Sequence, residues 1–270
     1  METKRKYIVF NRVWLLLGAI TIPSALIILF ELLKNNQSLM SGWVFGIMAP
    51  VEQFSGRVWS LFPFSIAETL TILFLAGCVI WSIRAIVLLV QQKALLPFLR
   101  RLTALVSVWL WLWAGLCWLW NVAYYVPSFA QREHLASNPH SVEELTAVTE
   151  YFARQAAALA PKVSRDTEGH FIEDLSQCFD RGPDIYQNIA QEFSSLNITA
   201  VKAKPLLCSR FQSMLGFTGI YFPFTGEANV NVDAPACLVP ATISHEMSHQ
   251  RMVSSELEAN FVGIAACTSC

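Results

Sequence analysis

His245-Glu246-Met247-Ser248-His249 is followed seven residues later by Glu256-Leu257-Glu258-Ala259-Asn260. Residues four apart share one face of a helix, so His245 and His249 aim two imidazoles at one point. Glu246 lies one residue from the first His, beside that point instead of on it. Zinc in a catalytic site takes three protein ligands and keeps one position open. Glu256 supplies the third ligand if the chain turns back after Val253. The H-E-x-x-H spacing then makes Glu246 a general base working on a zinc-bound water. Glu258 competes with Glu256 for the third position. Glu256 is preferred, because Glu256-x-x-x-Asn260 puts Asn260 one turn along the same face, where its amide can hold a ligand imidazole. Glu258 is offset by about 200° around that helix.

The composition divides the chain. It is 54% hydrophobic and only 14% charged, against about 25% charged residues in an ordinary soluble domain. Residues 1–126 hold ten Lys/Arg and four Asp/Glu, and residues 127–270 hold nine and sixteen. The near-neutral total therefore hides an apolar, basic first part and an acidic second part that reads as a soluble domain. Nothing points to a nucleic-acid partner: the basic residues flank apolar stretches and form no patch with stacking aromatics.

Three stretches match the roughly 20 residues that cross a bilayer. They lie near Val13–Leu33, Ile66–Val90 and Leu102–Val126, the third carrying Trp109, Trp111, Trp113, Trp118 and Trp120. Lys4, Arg5, Lys6 and Arg12 precede the first, and Lys93, Arg100 and Arg101 lie between the second and third. The positive-inside rule places these groups in the cytoplasm and residues 127–270 outside the cytoplasmic membrane. The first stretch is too long for a signal-peptide core, so it reads as a retained anchor. Between the first two spans, residues 34–65 read as an interfacial loop rich in Trp and Phe.

In the second part, Pro127–Pro139 reads as a polar linker. Ser141 and Glu144 form a capping box for a helix to about Leu159, whose apolar positions Leu145, Val148, Phe152, Ala156 and Leu159 predict one packed face. A second helical region covers about Ile172–Leu196, interrupted near Gly182-Pro183. Gly219–Val232 predicts two short strands around a bend, with Pro223 marking an edge. An edge strand beside a zinc site can take an extended peptide by strand addition. Pro240 suits the first turn of the His-bearing helix. That helix is too polar to lie in lipid, which argues against intramembrane cleavage. The closing Cys267-Thr268-Ser269-Cys270 lacks two further ligands at zinc spacing and reads as structural or incidental.

H-E-x-x-H with a later E-x-x-x-[DN] is similar to the gluzincin group of zinc metallopeptidases. The resemblance implies His245, His249 and Glu256 as metal ligands, Glu246 as general base, and Asn260 where the group usually has an Asp. Glu256–Phe261 also looks like the Glu-x-x-Ala-Asn segment of a peptidase group that cleaves bacterial repressors. More of the chain resembles an uncharacterised bacterial family of membrane proteins (domain-of-unknown-function family thirty-eight-ten). The matching pieces are Phe62–Ser65, Tyr124-Tyr125, Pro223–Asn231, His245–Gln250 and Glu258–Phe261. Gluzincin domains normally continue past the third-ligand helix, where many carry a transition-state-stabilising His or Tyr. The resemblance thus implies chain beyond Cys270.

The expectation is a mainly α membrane protein. Residues 1–126 form a membrane domain of three transmembrane helices. Residues 127–270 form an α+β, zincin-like extracytoplasmic domain. Its expected activity is peptide-bond hydrolysis with Zn2+ at the outer face of a bacterial cytoplasmic membrane, the partners being a peptide or protein substrate and the lipid bilayer. The alternative is a metal-binding sensor or scaffold without turnover.

Overall fold

The computed structural model describes residues 2–135, 138–199 and 201–269, with side chains from Gly18 onward. It is mainly helical with one three-stranded sheet. The chain divides into two compact units. One comprises Met1–Ser55, Ile66–Val126 and Pro223–Thr225; the other comprises Gly56–Ser65, Pro127–Phe222 and Gly226–Cys270.

The first unit is built on α1 (Glu2–Leu33), α2 (Gln37–Trp43), the start of α3 (Ala49–Trp59), α4 (Ile66–Val90) and α5 (Leu95–Leu119). Ile66–Val90 and Leu95–Tyr125 are long and apolar enough to cross a membrane, and Gly18–Leu33 is a shorter apolar stretch. Helix α5 packs against α1 and α4. Polar side chains sew these helices together through backbone carbonyls. Ser107 Oγ donates to Ala19 O at 2.6 Å, and Trp118 Nε1 to Leu26 O at 3.0 Å. Along α4, Leu70, Leu73, Val79, Ile83 and Ile86 are all exposed, a surface that water does not suit.

Residues 34–65 differ from the expected loop, because most of the segment is helical. Asn36 Oδ1 caps α2 by accepting Leu39 N–H at 3.1 Å. Met40, Val44 and Met48 recur every four residues and are buried, so one apolar face continues through a wide π turn at Val44–Met48 into α3. Aromatic content suggested an interface; the period-four burial decides for helix.

The second unit contains α6 (Phe129–Arg132), α7 (Val142–Leu159), α8 (Leu175–Arg181), α9 (Tyr186–Glu192), α10 (Ser209–Met214), α11 (Val239–His249) and α12 (Glu256–Thr268). Its strands are β1 (Lys204–Pro205), β2 (Gly219–Phe222) and β3 (Glu227–Val230), in the order β1-β3-β2. Strand β1 runs parallel to β3, and β2 runs antiparallel to it with Tyr221 opposite Ala228. Pro223 falls in the turn and β2 is an edge. The two-residue β1 carries too little pattern to be read from sequence.

Two further expectations are corrected. The stretch Pro127–Pro139 is not merely a linker: α6 lies within it, and Phe129 is buried in the core with Phe179, Ile189, Ile243 and Met247. Helix α7 has its capping box, with Ser141 N–H to Glu144 Oε2 at 2.8 Å, but no residue of it is buried. Its apolar stripe, with Leu145, Val148, Phe152 and Leu159 all exposed, enters no core. Ala136, Ser137 and Ala200 lie outside the described residues, as does Cys270 of the terminal C-x-x-C. The interruption at Gly182-Pro183 is a 3-10 turn between α8 and α9. A Cβ on Gly182 would stand 3.1 Å from Ile243 and 3.2 Å from Met247, so α11 crosses closely there.

Helices α11 and α12 form the main helix pair of this unit. They approach closely at Gly263, where a Cβ would lie 3.2 Å from the His245 backbone nitrogen. Backbone cannot yield as a flexible side chain can. Gly263→Leu is therefore expected to force the helices apart and destabilise the protein by about 1–3 kcal/mol. Thermal unfolding of the full chain in detergent measures this; an unchanged melting temperature would contradict the packing.

Candidate metal centre

Helix α11 starts with Pro240 in its first turn, where the missing N–H costs nothing. It is buried on most sides, including the polar Ser244, Glu246, Ser248 and His249. Buried hydroxyls need partners. Ser244 Oγ donates to Gly263 O at 2.9 Å. Ser248 Oγ reaches Ser244 O at 3.1 Å and Ala259 O at 3.3 Å. The Tyr186 hydroxyl donates to Ser244 O at 2.6 Å from the far side, and its ring stacks under the Arg251 guanidinium at 3.5 Å. Arg251 in turn donates to Met247 O and Leu196 O. The helix is thus fixed from behind.

After His249 the chain reverses through Met252, whose φ of +57° lies in the left-handed region. For a residue with a Cβ that conformation costs roughly 1–2 kcal/mol. Arg132 Nη2 donates to Met252 O at 3.0 Å and helps hold it. The reversal delivers Glu256 to the first turn of α12.

The three residues converge. His245 Nε2 lies 3.1 Å from Glu256 Oε2, and His249 Nε2 lies 3.7 Å from Glu256 Oε1. One ligand atom from each falls within 4.8 Å of the others. Atoms bound to one zinc at about 2.0–2.2 Å stand about 3.3–3.6 Å apart in a tetrahedron, so modest tightening suffices. Both rings are held through their other nitrogen. His245 Nδ1 meets Asn260 Oδ1 at 2.9 Å, and His249 Nδ1 meets Val253 O at 2.7 Å. A carbonyl oxygen only accepts, so His249 carries its proton on Nδ1 and its Nε2 lone pair faces Glu256. Burial, with His245 adding to it, holds His249 below the usual imidazole range, against the opposing pull of Val253 O and Glu256. A neutral imidazole is the form that binds metal. The donor set, its spacing and its outer hydrogen bonds fit a zinc ion.

Glu246 is buried against the edge strand. Burial, then the Glu256 charge, pushes its carboxyl up to about 8, while the Tyr221 backbone N–H pulls it down. A divalent cation nearby would favour the ionised form. A Cβ on Gly219 would stand 2.5 Å from Glu246 Oε1, so β2 reaches the carboxylate only because residue 219 is glycine. The Tyr221 ring lies beside His249, centroids 6.3 Å apart.

Glu258 faces elsewhere. Its two oxygens accept the Phe129 and Ala130 N–H groups, each at 2.9 Å, capping α6. Sequence reasoning did not find Gly219, Tyr221 or the Val253 carbonyl. Gly219 opens a strand-like run and carries a weak signal, a glycine where another chain atom approaches. A backbone carbonyl carries none.

An H-E-x-x-H helix whose two imidazoles converge with a glutamate defines a candidate metalloprotein. Residues 44–270 match the model of a family described as Protein of unknown function (DUF3810). The chain belongs to that family. No curated protein and no solved structure matches it.

Glu256→Ala is expected to lose zinc. Glu258→Ala should keep it and lose about 1–3 kcal/mol of stability, through the uncapped N–H pair. Metal analysis after chelator competition, with thermal unfolding, separates the two. Zinc released by Glu258→Ala and retained by Glu256→Ala would reverse the assignment. Asn260→Asp is expected to hold zinc at least as tightly as the parent chain, since a carboxylate raises ligand basicity.

Proposed function

We propose that this protein is a membrane-anchored zinc metallopeptidase of the gluzincin type, hydrolysing peptide bonds at the outer face of a bacterial cytoplasmic membrane. The observation that carries this reading is the convergence of His245, His249 and Glu256, with Glu246 buried beside them. His245, His249 and Glu256 would hold the zinc, and Asn260 would orient His245. Bound there, zinc supplies Lewis acidity that polarises a carbonyl and activates water.

The chain's own groups do the rest. Glu246 takes a proton from the attacking water and passes it to the leaving amine, work typically giving roughly 10²–10⁴-fold. The Tyr221 N–H steadies the carboxylate during that exchange. Strand β2 orients the substrate. Thr218 O accepts the Asn231 N–H at 2.9 Å, and hydrogen-bonded pairs alternate along an antiparallel ladder. Gly219 and Tyr221 therefore turn backbone groups away from β3; the Tyr221 N–H is taken by Glu246, so a peptide added at this edge pairs through Gly219.

Three membrane spans are part of this reading: the apolar stretch ending at Leu33, then Ile66–Val90 and Leu95–Tyr125. The exposed apolar surface of α4 supports lipid contact, and the Lys/Arg bias supports an extracytoplasmic 127–270. A second reading, a metal sensor or scaffold without turnover, draws on Asn260, an amide where a carboxylate would make His245 a stronger ligand.

Glu246→Gln is expected to retain zinc and lose at least about 10²-fold of the hydrolysis of a peptide library. His245→Ala is expected to lose both. Zinc binding without any hydrolysis in the parent chain would favour the sensor. For orientation, a cysteine at Thr146 should react with an impermeant reagent in whole cells, and one at Gln92 should not. The opposite labelling would place the domain in the cytoplasm.

A further inference from the structure

One charge in the second unit lacks a counter-charge. Arg251 is only 2% exposed, and none of the ion pairs among the described residues includes it. Burial pushes its guanidinium down to about 10, opposed only by Tyr186; no carboxylate contributes. A buried cation is ordinarily paired with an acid, because losing its water is costly.

The guanidinium is held in place and only partly used. It lies over the Tyr186 ring, 3.5 Å from the centroid, while Nε donates to Leu196 O at 3.1 Å and Nη1 to Met247 O at 2.8 Å. An arginine offers five N–H donors. The other three, two on Nη2 and one on Nη1, meet no acceptor among the described residues. Nη2 is not one of the fully enclosed polar atoms that lack a partner, so it opens onto accessible space.

That space is a cavity of about 250 Å³, which Arg251 lines. Pro183, Ala190 and Ile198 give it apolar walls, and Gln191 and Asn197 bring exposed amides to it. Its lining contains no acid and no second base. Asp184, which accepts Gln187 Nε2 at 2.9 Å, is not part of the lining.

The chemistry of the occupant follows. A guanidinium presents its donors as a flat fork that matches the two oxygens of a carboxylate. One positive charge with no second base balances one negative charge, and a phosphate dianion would leave charge in excess. The apolar walls suit a short hydrocarbon beside that carboxylate, and the amides suit a neighbouring polar group. The room equals about eight waters at roughly 30 Å³ each, enough for a small acid or the last residue of a chain.

We propose that this cavity binds a monocarboxylate, held by Arg251 at its base with Gln191 and Asn197 at its mouth. A small free acid and the C-terminal carboxylate of a peptide present the same group. None of His245, Glu246, His249 and Glu256 lines the cavity. Ser244 and Ser248, which the Tyr186 hydroxyl meets, are offset by about 100° around α11 from the two imidazoles. This is therefore a second site, and it stands without the zinc reading.

The test is isothermal titration and thermal unfolding of the full chain in detergent. The buffer is free of chloride and contains a chelator, so that no metal is present to take a carboxylate. N-acetylalanine is the probe and N-acetylalanine amide its uncharged match. The acid should bind at one saturable site and raise the melting temperature, as any ligand of the folded form alone does. The amide should do neither. Gln191→Glu and Asn197→Asp, both at exposed positions, should each weaken the acid several-fold, and Gln191→Lys should strengthen it. Thr146→Glu, on α7 and outside the cavity, should leave it unchanged. Arg251→Gln should abolish binding; the three variants at the mouth carry the test where that change unfolds the chain. An N-acetylated tetrapeptide acid that binds as well as N-acetylalanine identifies a chain end as the occupant, and its exclusion identifies a free small acid. Equal effects of acid and amide, or binding indifferent to all three mouth variants, would make Arg251 a structural residue only and overturn the proposal. Tighter binding of inorganic phosphate than of the acid would overturn the choice of a monocarboxylate. With metal absent throughout, either failure leaves the zinc reading as it was.

Discussion

The backbone-to-backbone approach of α11 and α12 at Gly263 is the constraint on which the candidate site depends. With no side chain there, the Gly263 carbonyl can accept the Ser244 hydroxyl at 2.9 Å. The same approach lets Ser248 reach Ala259 O. Two short hydroxyls thereby fix the rotation of one helix against the other. That rotation sets Asn260 behind His245 and Glu256 in front of both rings. A larger residue at 263 would meet the backbone of the very residue that carries the first imidazole. The site is a property of this helix pair before it is a property of any ligand.

Electrostatics give the pair its direction. Glu246 is buried with its carboxyl pushed up to about 8, chiefly by the loss of water around it. A cleft that disfavours a carboxylate charge is one in which a divalent cation restores it. The edge strand supplies one N–H to that carboxylate and no side chain at Gly219. Elsewhere on the sheet, Glu227 is buried against Lys204 at 2.7 Å. Buried ion pairs contribute little net stability, but they fix a geometry strongly because either half alone is costly. Here the geometry is that of the turn at 59–64 against β1. The same buried lysine therefore joins the sheet bearing the edge strand to the residues that lead into α4.

The apolar helices obey a simpler rule. Helix α4 is apolar along most of its length and mostly exposed, and it is long and apolar enough to cross a membrane. Where these helices touch one another, Ser and Trp donors find backbone carbonyls, as in Ser107 to Ala19 and Trp43 Nε1 to Trp118 O at 2.8 Å.

Much of this was legible in the chain alone, wherever the information is periodic or local. The His pair four residues apart, the Glu between them, the capping box at Ser141 and Glu144, the long apolar runs and the strand–turn–strand around Pro223 all follow from helix and strand periods and from the covalent nature of proline. The helical nature of residues 34–65 was hidden, because Trp and Phe obscured a stripe of Met40, Val44 and Met48 that only burial reveals. The free face of α7 was misjudged for the opposite reason: a periodic stripe states that a face is apolar, not that anything covers it. Which glutamate turns to the imidazoles, the role of Val253 as hydrogen-bond partner of His249, and the closeness of Gly219 to Glu246 were decided by tertiary structure alone. They join residues far apart or backbone atoms common to every sequence, and the amino-acid order encodes such contacts only through the packing of the whole.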